Sequence, residues 1–250
     1  MQVVVDNLLT SYEQAGSKGP VILLLHGWGD TGATFKQLTE KLQANYRTLV
    51  LDLPGFGGTS APAEVWDLDD YARFVAHFLK KVDAKPDVII GHSIGGAVAI
   101  CGLAAGDLTA DSLVLLASAG IRNVYKGRKK ALRLVAKAAK AATAPLPKSV
   151  QTKLKKKAYK RIGSDLFVAE HLQETFKKVI TYDVQADAAK LHLPVLLIYG
   201  SEDTATPVAF GELFHGAISG SRLEVLEGVG HFVHHEQPDK VFSLVNEFIA

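Results

Sequence analysis

The chain has 250 residues, of which 48% are hydrophobic, 22% charged and 8% aromatic, enough apolar material for one well-packed domain. No basic and then apolar leader opens it, no apolar run reaches membrane-spanning length, and a lone Cys101 excludes an internal disulfide, so a cytoplasmic protein is expected. Net charge is only +2, but the stretch from Arg122 to Asp183 holds 17 Lys and Arg against four Asp and Glu, so the remainder is acidic.

Val3–Val5 and Leu9–Tyr12 read as an antiparallel edge. Val21–Leu25 is a continuous apolar run ending at His26-Gly27, and a helical pattern covers Thr34–Gln43. Thr48–Asp52 is a second run, stopped by Leu53-Pro54-Gly55, and is followed by a helix over Leu68–Val82. Val88–Ile90 leads into Gly91, and a helix follows over Gly95–Ala105. Leu113–Leu116 is the next run. Val195–Tyr199, a helix over Val208–His215, Arg222–Leu226 and a helix over Asp239–Ile249 complete the chain. Apolar runs without alternation are strands buried on both faces, and their alternation with helices predicts an α/β fold with a parallel sheet.

Residues 122–187 break the pattern. Lys126–Ala142, Ser149–Arg161 and Ser164–Ile180 read as helices, with no strand between them, so this segment is expected to be a helical insertion. The first helix is amphipathic, with Lys126, Lys129, Lys130, Arg133, Lys137 and Lys140 on one side and Ala131, Leu134, Val135, Ala138 and Ala142 on the other.

Gly91-His92-Ser93-Ile94-Gly95 fits G-x-S-x-G at a strand-to-helix corner. Such a corner exposes the serine hydroxyl at the sheet edge and turns the Ile94 N–H toward a developing oxyanion. A serine needs a base, and the base needs an orienting carboxylate. His231, in the glycine-flanked loop Gly228-Val-Gly-His231, is the candidate base, and Asp203, after the run Val195–Tyr199, is the candidate acid. His234 and His235 are rivals without flanking glycines. His92 and His26 are assigned to packing or hydrogen-bonding support, and Glu202 is the rival of Asp203. No Cys/His cluster has metal-ligand spacing, and no metal or organic cofactor is expected.

On these residues, together with His26-Gly27-Trp28-Gly29, Asp52-Leu53-Pro54-Gly55-Phe56-Gly57 and Gly200-Ser-Glu-Asp203-Thr-Ala-Thr-Pro207, the chain resembles the α/β-hydrolase family, specifically its serine-nucleophile, esterase-like branch. The carboxylesterases and the pimeloyl-carrier-protein methyl ester esterases are similar in these motifs. The resemblance implies the α/β-hydrolase fold: a mostly parallel eight-stranded sheet flanked by helices, with a core of residues 1–121 and 188–250 and a cap of 122–187. It implies that the Trp28 N–H joins Ile94 in the oxyanion hole and that Asp52, in its Asp-Leu-Pro-Gly turn, is structural. A serine at the corner argues against the family's dehalogenases and epoxide hydrolases, which place aspartate there. The elbow and basic insertion also differ from the prolyl aminopeptidase pattern.

The expected activity is cleavage of carboxylic esters, with Leu134, Phe167, Leu172, Phe176 and Phe232 around the acyl group. The basic insertion suggests an anionic partner: an acyl carrier or CoA ester, giving a thioesterase or carrier methyl ester esterase, or an acidic lipid surface. Nucleic acid is disfavoured, since no recognised motif accompanies the charges. A carbon–carbon bond hydrolase of the meta-cleavage type and a non-catalytic ligand receptor use the same residues. Comparing p-nitrophenyl esters with a vinylogous diketone separates the first, and ester turnover abolished in Ser93→Ala weighs against the second.

Overall fold

The computed structural model describes residues 1–122 and 169–250. The expected helices over Lys126–Ala142 and Ser149–Arg161, with Leu134 and Phe167, lie outside the described residues.

Eight strands form one sheet: β1 (Gln2–Val5), β2 (Leu8–Ala15), β3 (Val21–Leu25), β4 (Arg47–Leu51), β5 (Val88–His92), β6 (Ser112–Leu116), β7 (Val195–Gly200) and β8 (Arg222–Leu226), in the order β1-β2-β4-β3-β5-β6-β7-β8. β1 and β2 pair antiparallel, β2 joins β4 antiparallel through Tyr12 opposite Leu51, and every other pairing is parallel. This is the α/β-hydrolase fold expected from the sequence, antiparallel edge included.

The unbroken apolar runs are explained by which way successive side chains point. In β3, Leu23 and Leu25 join one core cluster while Ile22 and Leu24 join the other, so both faces of the strand are buried. Helices α1 (Lys36–Leu42) and α8 (Pro238–Ile249) cover one face, where Leu38, Leu42, Leu244 and Val245 pack. Helices α2 (Leu68–Lys81) and α3 (Ile94–Ala105) cover the other. α2 buries Leu68, Tyr71, Phe74, Val75 and Phe78 at helical spacing, and an Asp67/Asp70 capping box starts it. α3 is buried from Ile94 through Gly102 because it is packed between β5 and α2, so it shows no polar face.

Four further helices are α4 (Gln173–Val179), α5 (Gln185–Ala188), α6 (Val208–Ala217) and α7 (Val233–Glu236). The first expected helix begins as a 3₁₀ turn over Gly32–Phe35 before α1. Over the described part of Ser164–Ile180 the chain forms a 3₁₀ turn, Glu170–Leu172, and then α4. Lys178 pairs with Asp67 at 2.9 Å, the Tyr182 hydroxyl donates to Asp69 at 2.7 Å, and Trp66 N–H donates to the Thr175 hydroxyl at 3.3 Å, so this stretch is tied to the start of α2. Among the described residues no helix is long and apolar enough to cross a membrane.

Candidate active site

β3, β5, β6, β7 and β8 run parallel, so their carboxyl ends and the loops that follow gather along one edge of the sheet, where sites in such folds form. Ser93 stands between β5 and α3 with φ +52° and ψ −119°, a left-handed conformation that a serine adopts only under constraint. Two glycines make the corner passable. A Cβ on Gly91 would meet the Gly96 backbone, and one on Gly95 would run into the Leu25 carbonyl oxygen. Ser93 N–H donates to Leu116 O at 3.0 Å, which fixes the corner to β6.

Asp203 follows β7 and His231 follows β8. His231 Nδ1 lies 2.7 Å from Asp203 Oδ2. The other carboxylate oxygen accepts from Ala205 N–H at 2.7 Å and Thr206 N–H at 3.0 Å, an Asx-type turn that orients the side chain. The Thr206 hydroxyl adds a contact to Asp203 Oδ2 at 2.7 Å. Burial alone would push the Asp203 carboxyl up, but hydrogen bonds and charge from His231, with the Thr206 bonds, outweigh it and hold it below the ordinary carboxylate value. Glu202 is exposed and takes no part.

Ser93, His231 and Thr206 line one cavity of about 430 Å³. Trp28 and Ile94, the expected oxyanion pair, lie on the same wall. Of the expected acyl-pocket residues, Phe176 and Phe232 line it and Phe232 is also exposed, as befits the mouth. Leu172 is not on the wall: its side chain is buried against Gly55, where the positive-φ glycine leaves room for it. Val179, Ile180, Tyr182 and Phe210 add to the apolar lining. No sequence motif marks these; they reach the cavity only because α4 and α6 pack beside the sheet edge.

The remaining histidines have separate duties. His26 is fully buried; Leu53 N–H donates to its Nε2 at 2.9 Å, so its Nδ1–H donates to Gly27 O at 2.7 Å. Burial lowers its pKa, and the neutral ring ties the Gly27-Trp28 loop to the loop after β4. His92 donates from Nε2 to the His231 carbonyl at 3.1 Å, with the two rings 4.8 Å apart. Burial and the neighbouring His234 and His231 hold it well below the ordinary imidazole value. His234 and His235 both reach the Thr34 hydroxyl, at 3.0 Å, which holds them away from Asp203. Asp52 accepts from Gly32 N–H at 2.7 Å and Gly58 N–H at 2.9 Å, a structural turn as expected. Among the described residues no group of His, Cys, Asp and Glu could hold a metal.

The sequence model of the Alpha/beta hydrolase family matches residues 22–244. The chain belongs to the α/β hydrolase family. Pimeloyl-[acyl-carrier protein] methyl ester esterase from Neisseria meningitidis is 28% identical over 243 residues, covering 91% of this chain and 93% of that protein. Monoacylglycerol lipase ABHD6 from Bos taurus is 27% identical over 256 residues, covering 92% of this chain and 75% of that protein. The crystal structure of a membrane phospholipase A, a bacterial virulence factor, superposes with a TM-score of 0.79 at 24% identity, covering 100% of this chain and 84% of that one. Both the fold and the family read from the sequence therefore stand.

Proposed function

We propose that this α/β hydrolase cleaves carboxylic esters through an acyl-enzyme on Ser93. The observation that carries the reading is a strained serine at a strand–helix corner and, on the wall of the same cavity, His231 bonded from behind to the buried Asp203. Asp203 occupies Nδ1 of His231, so Nε2 is the nitrogen left for the serine proton. Ser93 Oγ attacks the acyl carbon as Nε2 takes that proton; Nε2 then returns it to the departing alcohol, and Asp203 stabilises the imidazolium between the two steps. Water, deprotonated by the same nitrogen, releases the acid. The N–H groups of Trp28 and Ile94 hold the oxyanion, each such donor being worth about 3 kcal/mol in comparable sites. No cofactor enters this route. The apolar lining from Phe176, Val179, Ile180 and Phe232 suits an acyl chain, and the names of the lipase and esterase relatives agree with an ester or lipid substrate.

Residues 122–187 serve as a cap in this reading. Their basic charge, with a relative whose name specifies an acyl-carrier ester, favours an anionic leaving group or partner: an acyl carrier, a CoA ester or an acidic lipid surface. One buried cysteine and ordinary composition support a cytoplasmic location in this reading.

The test is labelling with a fluorophosphonate, with mass mapping, beside turnover of p-nitrophenyl esters. The label is expected on Ser93. Ser93→Ala and His231→Ala should each lower kcat by roughly 10⁴-fold or more, and Asp203→Asn by about 10⁴-fold, with folding retained. Unlabelled Ser93, or full turnover in Ser93→Ala, would overturn the reading.

A further inference from the structure

Thr206 is 4% exposed, and its single hydroxyl sits among three groups: Asp203 Oδ2 at 2.7 Å, Ala117 O at 2.9 Å and His231 Nδ1 at 3.1 Å. A hydroxyl has one proton to donate and lone pairs to accept with. Its proton has two acceptors, the carboxylate and the Ala117 carbonyl, and its oxygen can share the Nδ1–H that His231 directs at Asp203.

Ala117 is itself unusual. It has φ +45°, a left-handed value for a residue with a Cβ, at the turn that ends β6. That turn is held on several sides. Ala117 N–H donates to Ile198 O at 2.8 Å, the buried Tyr199 hydroxyl donates to Ser118 O at 2.9 Å, and Ala119 N–H donates to Ser93 O at 3.0 Å. The backbone that carries the Thr206 acceptor is thus bonded, two residues on, to the backbone of Ser93. The hydroxyl closes a path from the serine corner, through the β6 turn, to the Asp203–His231 pair.

We propose that Thr206 is a positioning residue for the Asp203–His231 pair, its hydroxyl fixing that pair against the strained β6 turn and so against Ser93. The inference rests on the serine-hydrolase reading. Its content is that the hydroxyl, rather than the shape of the side chain, sets the geometry of proton transfer. Valine has the shape without the hydroxyl, and serine has the hydroxyl without the methyl.

The experiment compares wild type, Thr206→Val and Thr206→Ser in the full chain. It measures the rate of fluorophosphonate labelling at Ser93, kcat and KM on p-nitrophenyl butyrate, and the thermal transition. Thr206→Val should lower both the labelling rate and kcat by about tenfold or more, the scale of one hydrogen bond to a charged group, with KM within about twofold of wild type. Thr206→Ser should restore both rates to within about threefold. Wild-type rates in Thr206→Val, a serine variant as slow as the valine variant, or a change confined to KM would each overturn the proposal. Should Thr206→Val lose its cooperative transition, Thr206→Ala takes its place against the same criteria. If wild type itself is unlabelled at Ser93, the hydrolase reading falls and this inference falls with it; if wild type is labelled and Thr206→Val matches it, only the role of Thr206 is lost.

Discussion

His234 is 1% exposed, with its ring 5.2 Å from Phe35 and 4.7 Å from His92. Burial, then the neighbouring His235 and His231, push its pKa down to about 3. The unfolded chain protonates this histidine near its ordinary 6.5, whereas the folded chain keeps it neutral. Above that value it has no effect on the pH dependence. As pH falls from 6.5 toward 3 the unfolded state alone gains a proton, and folding loses up to about 1.4 kcal/mol per pH unit. Urea unfolding at pH 7, 6, 5 and 4 should show that slope, and His234→Phe should make it shallower by about one proton; an unchanged slope would place the acid sensitivity elsewhere. His92, depressed by the same burial, adds to the loss in both proteins. Ser93, Asp203 and His231 were legible as candidates because each sits at a loop that interrupts an apolar run, two of them beside glycines that the backbone geometry requires. Thr206 was not legible: Asp203-Thr-Ala-Thr-Pro207 offers two threonines, and only the turn held by Asp203 decides which hydroxyl faces the pair. Leu172 was misplaced for a related reason, since its apolar character is equally served by packing over Gly55.

Among the elements, α2 does more than cover the sheet. Asp67 Oδ1 accepts from Asp70 N–H at 3.0 Å, Asp70 Oδ2 accepts from Asp67 N–H at 2.9 Å, and Asp67 also pairs with Lys178 at 2.9 Å. The cap is the stronger effect. Losing an N-cap aspartate costs about 1 kcal/mol, whereas the Lys178 side chain is 47% exposed and such a surface pair contributes little. Asp67→Ala should therefore lower Tm by about 2–4 °C, and Lys178→Ala by no more than about 1–2 °C. Because Asp67→Ala removes both interactions, an equal loss in Lys178→Ala would make the ion pair, rather than the cap, the dominant effect. α2 was readable from its spacing and its caps. α5 was not, because Gln185–Ala188 is too short to repeat an apolar face; its place is set by Val184 and Ala188, which enter the core beside α3.

Across the whole molecule, the alternation of apolar runs and helical spacing fixed the sheet's class, because a strand buried on both faces has no alternative but apolar side chains at every position. Strand order is another matter: β4 lies outside β3, a crossover that local pattern does not encode. The charge distribution is a property of the same scale. The 17 Lys and Arg between Arg122 and Asp183 face a remainder with 11 Lys and Arg against 22 Asp and Glu, so the molecule is strongly dipolar in sequence despite a net charge of +2. If that charge brings an anionic substrate to the cavity, its effect must be long-ranged, sensitive to salt and blind to neutral substrates. Replacing Lys129, Lys130 and Arg133 together with glutamine should leave kcat and KM for p-nitrophenyl butyrate unchanged. The same replacement should lower kcat/KM for an acyl-CoA or acyl-carrier substrate by roughly tenfold or more at low salt, since each basic residue beside an anionic surface is worth about 1 kcal/mol. The difference between the two proteins should shrink as sodium chloride approaches about 1 M, where the screening length falls to about 3 Å. Equal kcat/KM on the anionic substrates at low salt, with equal binding to anionic vesicles, would reduce the basic segment to a solvated surface and leave the cavity to select its substrates by shape alone.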